Sequence, residues 1–69
     1  MTYYQKLIQK LDPSVTTDEA RGIEAHMRLE YGTLNSRSRD CFKREIKLFR
    51  LCEREFPGYG EKIAQSYGL

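Results

Sequence analysis

One histidine and two cysteines are the residues of this chain best suited to metal binding or nucleophilic chemistry. His26, Cys41 and Cys52 offer an imidazole and two thiols, which are the ligands that zinc prefers in proteins. The cysteines are eleven residues apart in one predicted helix, so a rise of about 1.5 Å per residue separates them by about 16 Å. They therefore cannot share a metal ion, and a disulfide, whose Cα atoms lie within about 7 Å, would require the helix to be broken. The sequence predicts two free thiols and no metal site.

Two other patterns associated with catalysis are incomplete. A cysteine nucleophile needs a neighbouring base that is oriented by a third group, and a small helical bundle with one histidine offers no obvious cleft for such a site. The segment FPGYGEK, residues 56–62, contains two glycines but lacks the preceding strand and the Lys-Ser/Thr ending of a phosphate-binding loop. We therefore expect a protein that is not an enzyme and that uses no cofactor.

Positive charge in the segment RDCFKREIKLFRLCERE, residues 39–55, is the remaining candidate for function. The whole chain has a net charge of only +2, so the molecule as a whole does not attract nucleic acid strongly. Residues 37–54 nevertheless hold seven basic and three acidic side chains, whereas the rest of the chain holds five basic and seven acidic ones. Positive charge is therefore concentrated in one predicted helix.

The angular positions of these residues divide the predicted helix into faces. At about 100° per residue, an arc of roughly 160° contains the apolar residues Phe42, Ile46, Phe49, Cys41, Leu48, Cys52 and Phe56. A second arc of only about 60° contains Lys43, Lys47, Arg50 and Arg54, which we call the basic stripe. Arg44 and Leu51 lie together beyond the stripe. We predict that the apolar arc faces the core and that the basic stripe, with Arg44 and Leu51, contacts a partner.

The basic stripe suits more than one kind of partner. Our first hypothesis is a non-enzymatic small helical binding module of the bacterial or phage type, which docks on a larger protein with an acidic surface. The first alternative is a nucleic-acid-binding protein that contacts phosphates with the same stripe. The second alternative is a structural homodimer that buries apolar area across a two-fold axis. The stripe is also compatible with a solvated helix face that has no partner.

A helix-turn-helix motif matches the sequence poorly. In that motif the helix before the turn glycine needs a small side chain four residues earlier, and this position holds Arg28 before Gly32. The second helix should turn an apolar residue back towards the first, and Ser38 stands at that position. A sequence-reading helix of this kind is therefore not expected.

The composition is that of a folded protein, with 39% hydrophobic and 32% charged residues. No apolar run approaches the roughly 18 residues of a membrane span. The start MTYYQKLIQK lacks the apolar stretch and cleavage site of a signal peptide. We expect a cytoplasmic protein without a membrane partner.

The first two of four predicted helices are defined by apolar spacing and by their ends. Residues 3–11 place Tyr3, Leu7, Ile8 and Leu11 on one face, and the proline that follows ends the helix. Residues 17–31 carry apolar side chains at spacings of three and four. This helix begins in the capping-box sequence TTDE, residues 16–19, whose first residue is the cap. A glycine after residue 31 stops the second helix. Gly22 inside it is either tolerated or marks the close approach of another helix.

The third and fourth helices complete an all-α domain. Ser38 caps a helix over residues 38–55, which ends before Pro57. A last helix over residues 59–67 aligns Tyr59, Ile63 and Tyr67 on one side. We predict a single domain over residues 1–69, built as a small bundle of four helices. Because the connections are short, the middle two helices should form an αα-hairpin.

Overall fold

The computed structural model describes every residue from Met1 to Leu69 and contains four α-helices and no strands. The helices are α1 (Tyr3–Leu11), α2 (Thr17–Tyr31), α3 (Arg39–Glu55) and α4 (Tyr59–Ser66). The predicted all-α class is confirmed. α3 begins one residue later, and α4 ends one residue earlier, than the sequence predicted. None of the four helices has the length and apolarity that crossing a membrane requires.

Side-chain caps set the helix boundaries where the sequence placed them. Thr16 Oγ1 accepts a hydrogen bond from the Glu19 backbone N–H at 3.1 Å, and Glu19 Oε1 accepts one from the Thr16 N–H at 3.0 Å. Ser38 Oγ accepts from the Cys41 N–H at 3.1 Å. Gly32 ends α2 with φ +78°, a conformation that residues other than glycine rarely adopt. These contacts satisfy backbone groups that the ends of a helix leave without partners.

A single apolar core lies between the helices. Its nine buried members are Ile8, Val15, Ala20, Ile23, Met27, Leu34, Phe42, Ile46 and Phe49. They come from α1, α2, α3 and the two connections before and after α2. α2 is the central helix and packs against each of the other three. α2 and α3 are therefore packed neighbours, as the predicted hairpin required, but α2 packs more extensively against α1 and most extensively against α4.

α2 and α4 pack closely against each other at two glycines. A Cβ atom on Gly22 would lie 3.0 Å from Gly60 Cα and 2.7 Å from Phe49 Cζ. A Cβ atom on Gly60 would lie 2.5 Å from the same ring carbon. The close approach that was one interpretation of Gly22 is thus present, and the buried Phe49 ring of α3 occupies the crossing.

Some predicted core positions are wrong. Leu48 and Phe56 are 38% and 70% exposed, because Leu48 lies at the edge of the apolar arc and Phe56 follows the helix, with φ −133° and ψ 79°. Tyr3 is 72% exposed, while Tyr4 stacks on Phe42 with ring centroids 6.1 Å apart.

The thiols and the last helix also depart in part from the expected core positions. Cys41 and Cys52 are free, as predicted, but only half-buried. In α4 the buried residues are Gly60 and Ala64, because small side chains allow this helix to lie directly on α2.

Candidate functional site

Three cations of the basic stripe face solvent without an acidic partner. Lys43, Lys47 and Arg54 are exposed, and none of them forms an ion pair. They project from α3 because the opposite side of the helix is anchored in the core by Phe42 and Phe49, each at most 2% exposed. The charge of these three side chains is therefore available to a partner.

Arg50, the fourth member of the stripe, is bound within the molecule. Its Nη1 lies 3.3 Å from Asp12 Oδ2, and its Nη2 donates a hydrogen bond to Ser14 Oγ at 2.9 Å. Its Nε also lies 3.7 Å from Glu19 Oε2. Arg50 thus ties α3 to the connection between α1 and α2, and its side chain is only 39% exposed.

The contribution of Asp12 to stability is expected to disappear in acid. Hydrogen bonds from the Ser14 hydroxyl and backbone N–H, together with the nearby Arg50 guanidinium, lower the pKa of Asp12 below its ordinary 3.8. A carboxylate with a depressed pKa stabilises the folded state above its unfolded pKa, and this stability is lost as the pH falls through the folded pKa. Urea unfolding should show Asp12→Asn less stable than the wild type at about pH 7, with the difference shrinking towards about pH 2. A difference that stays constant over this range would contradict the assignment.

Arg44 and Leu51 lie beside the stripe, as the helical angles predicted. Arg44 Nη2 donates a hydrogen bond to Tyr31 Oη at 3.1 Å, yet its side chain remains 64% exposed. Leu51 is 49% exposed and lies about 40° around the helix from Lys47. Leu48 is a further 60° or so around. The solvent side of α3 therefore combines unpaired cations with exposed apolar side chains.

A second group of polar side chains meets between α2, α3 and α4. His26 Nε2 lies 3.1 Å from Glu45 Oε2 and 3.5 Å from Glu30 Oε2. His26 Nδ1 lies 2.7 Å from Tyr59 Oη, and the Tyr31 hydroxyl donates to Glu45 Oε1 at 2.7 Å. Glu45 is completely buried. We call these five residues the polar cluster.

Hydrogen bonds determine where protons reside in the polar cluster. Burial raises the pKa of Glu45, but hydrogen bonds from Tyr31 and Glu30 and the adjacent imidazole outweigh burial and lower it. The hydrogen bond to Glu45 raises the pKa of Glu30. Glu45 therefore gives up its proton at a lower pH than Glu30 does.

The two phenols of the polar cluster stay protonated at neutral pH. Hydrogen bonds to the Cys41 thiol and to Glu45 raise the pKa of Tyr31 to about 12. Burial raises the pKa of Tyr59. Each hydroxyl is consequently available as a donor or acceptor that orients a neighbouring cluster residue.

Helix periodicity contains a signal for the polar cluster that was not among the predictions above. Glu45 lies about 60° from Phe42, in the middle of the apolar arc, and an acidic side chain in that position must be paired once it is buried. His26 and Glu30 are one turn apart on α2 and therefore share a face. The sequence patterns suggested only the two cysteines as partners of His26, whereas in the structure His26 lies next to two carboxylates.

No protein-family model, curated protein or solved structure matches this chain. The two candidate sites of the molecule are the solvent side of α3 and the polar cluster.

Proposed function

We propose that the protein is a small, non-enzymatic binding module that docks on a larger protein through the solvent side of α3. Its docking face consists of Lys43, Lys47 and Arg54, with Leu48 and Leu51 beside them. The observation that carries this proposal is the combination of three unpaired cations and two exposed leucines on one side of one helix. Arg44 borders the docking face, and Arg50 supports it from within the molecule.

The docking face belongs to a helix whose position is fixed before a partner arrives. Phe42, Ile46 and Phe49 are each at most 2% exposed and anchor α3 along its length. Ser38 caps its first turn, and Arg50 ties its second half to Asp12. A surface that needs no reordering on binding loses less entropy, so more of its contact energy appears as affinity.

The chemistry of the docking face favours a protein with an acidic and partly apolar surface. Lys43 and Arg54 span about 16 Å along the helix axis, which matches a patch of carboxylates rather than a single charge. The exposed leucines gain free energy when another apolar surface covers them. Phosphates would make use of the cations alone, and Arg50 is already engaged with an acidic residue. A protein partner therefore uses more of this surface than nucleic acid does.

We place this activity in the cytoplasm, among small proteins of the bacterial or phage type. The support for a reducing compartment is that both cysteines are free and half-buried, which is the usual state of thiols there.

Charge reversal tests the docking face. We compare wild-type protein with the triple variant K43E/K47E/R54E, and with the control K6E/K10E/K62E, which changes the net charge equally at three other exposed lysines. A protein is captured from native-host extract on immobilised wild type, purified, and titrated calorimetrically against all three. The docking-face variant should bind at least roughly 100-fold more weakly, because like charges then face each other across the interface. The control should stay within about threefold of wild type.

Three outcomes would contradict the proposal. The first is a captured protein that binds the docking-face variant as well as wild type, or the absence of any captured protein that depends on these cations. The second is binding of wild type to an arbitrary nucleic-acid duplex at about 50 mM salt, with the logarithm of the affinity falling with the logarithm of the salt concentration at a slope of several units. If K43E/K47E/R54E loses this binding, the partner of the docking face is nucleic acid. The third is a concentration-dependent dimer in sedimentation that the variant abolishes, which would make the partner a second copy.

A further inference from the structure

We propose that His26, Glu30 and Glu45 bind one divalent transition-metal ion of the size of zinc at the junction of α2 and α3. His26 and Glu30 lie one turn apart on α2, and Glu45 approaches them from α3. The site is independent of the docking face, since none of its three ligands belongs to that face.

The distances between the three ligand atoms are those of a coordination shell. His26 Nε2 lies 3.1 Å from Glu45 Oε2 and 3.5 Å from Glu30 Oε2, and one ligand atom from each residue lies within 4.8 Å of the other two. Tetrahedral zinc with bond lengths of about 2.0–2.1 Å places its ligand atoms about 3.4 Å apart. An ion can therefore enter between these atoms with small side-chain movements and no change in the helices.

Neighbouring residues already orient the ligands as they do in metal sites. Tyr59 Oη lies 2.7 Å from His26 Nδ1 and accepts its proton when Nε2 binds the metal. The Tyr31 hydroxyl donates to Glu45 Oε1, which leaves Oε2 directed towards His26 Nε2. Hydrogen bonds of this kind fix the tautomer of a ligand histidine and the rotation of a ligand carboxylate.

Charge and access both suit a bound cation. Glu45 is 0% exposed; its Oε1 lies 3.7 Å from Arg44 Nε, whereas its Oε2 and the Glu30 carboxyl converge on one imidazole. A divalent ion between them would displace any proton that Glu30 retains and neutralise both carboxylates. The Glu30 side chain is 45% exposed, which gives the ion a path from solvent and leaves a fourth position for water. The imidazole nitrogen favours zinc and similar ions over magnesium or calcium, which prefer oxygen ligands.

Zinc titration of the full chain tests the site. Isothermal titration calorimetry should show one equivalent of Zn²⁺ bound to wild type, with the melting temperature raised in saturating zinc. The primary variant is Glu30→Gln, because its partly exposed position makes loss of folding least expected, and it should bind at least tenfold more weakly. Tyr59→Phe should weaken zinc binding about tenfold, because it removes the hydrogen bond that fixes the tautomer of His26. Glu61→Gln, an exposed acid on α4, and Cys41→Ser should bind zinc as wild type does.

The proposal is overturned by either of two results. Wild-type protein that binds no zinc at concentrations up to tenfold over the protein has no such site. Zinc that is bound equally by wild type and by both Glu30→Gln and His26→Asn, or that is lost in Cys41→Ser, resides elsewhere. Circular dichroism of each variant confirms that α-helical content is retained, and a melting temperature that zinc raises in wild type but not in Glu30→Gln gives a second, independent readout.

Discussion

Replacing Gly60 with alanine is expected to destabilise the fold by about 1–3 kcal/mol, although the same change in an exposed helix stabilises by about 1 kcal/mol. The new methyl group would lie 2.5 Å from Phe49 Cζ, well inside contact distance. Phe49 is 2% exposed and packed in the apolar core, so either its ring or α4 must shift to make room for the methyl group. Gly22→Ala should act in the same direction, because its methyl group meets the same ring and Gly60 Cα. Urea unfolding measures both effects.

A double-mutant cycle with Phe49→Leu separates this clash from other effects of the methyl group. Leucine is shorter than phenylalanine, so in the Phe49→Leu background Gly60→Ala should cost at least about 0.5–1 kcal/mol less than it does in wild type. A Gly60→Ala protein that is more stable than wild type, or a cost that is unchanged by Phe49→Leu, would contradict the packing of the two glycines around this ring.

Replacing Glu24 with alanine is expected to lower the free energy of unfolding by roughly 2–4 kcal/mol. Glu24 is 0% exposed. Its Oε1 accepts from Thr2 Oγ1 at 2.7 Å and Gln5 Nε2 at 2.9 Å, and its Oε2 accepts from Arg28 Nε and Nη2 at 3.0 and 2.8 Å. Truncation leaves the buried Gln5 amide without this partner and opens a space between α1 and α2. The loss stays below the extreme for a buried ion pair, because the Arg28 side chain is 33% exposed and can be solvated.

Glu55→Ala is the matched control for this experiment. Glu55 is an exposed glutamate at the end of α3 with no hydrogen bond or ion pair from its side chain, so its replacement should change the free energy of unfolding by no more than about 0.5 kcal/mol. Equal effects of the two substitutions in thermal and urea unfolding would contradict the role given to Glu24.

The helix boundaries were predictable because local interactions set them. Thr16 and Ser38 accept hydrogen bonds from residues three positions later, and such caps are visible in a single sequence. Pro13 ends α1 by its own geometry. Gly32 ends α2 with a positive φ, and a glycine at the end of a helix predicts this conformation. Each of these signals acts within one turn of helix.

Pairings between distant parts of the chain were not predictable. Arg50 has the same angular position as the free cations, but Asp12 is brought next to it only by the fold, 38 positions away in sequence. Glu45 is buried because His26 and Tyr31 from α2 hold its two oxygens. The sequence predicted that bulky side chains of α4 lie on its packed side, but the buried residues are Gly60 and Ala64. Helix spacing does not reveal which neighbour a helix approaches closely. Of the four cations in the basic stripe predicted from α3 alone, Arg50 is paired within the folded protein, and the three without an ion pair are Lys43, Lys47 and Arg54.

Protection of individual lysines from chemical modification is the most direct test of the docking face. The chain has five lysines, of which Lys43 and Lys47 lie on that face while Lys6, Lys10 and Lys62 are exposed elsewhere and serve as internal controls. After reductive methylation with and without the captured partner, mass spectrometry gives the modification rate of each residue. We predict that the partner slows modification of Lys43 and Lys47 at least severalfold and leaves the other three unchanged. Protection of Lys6, Lys10 or Lys62 with Lys43 and Lys47 still fully reactive would contradict the proposed function.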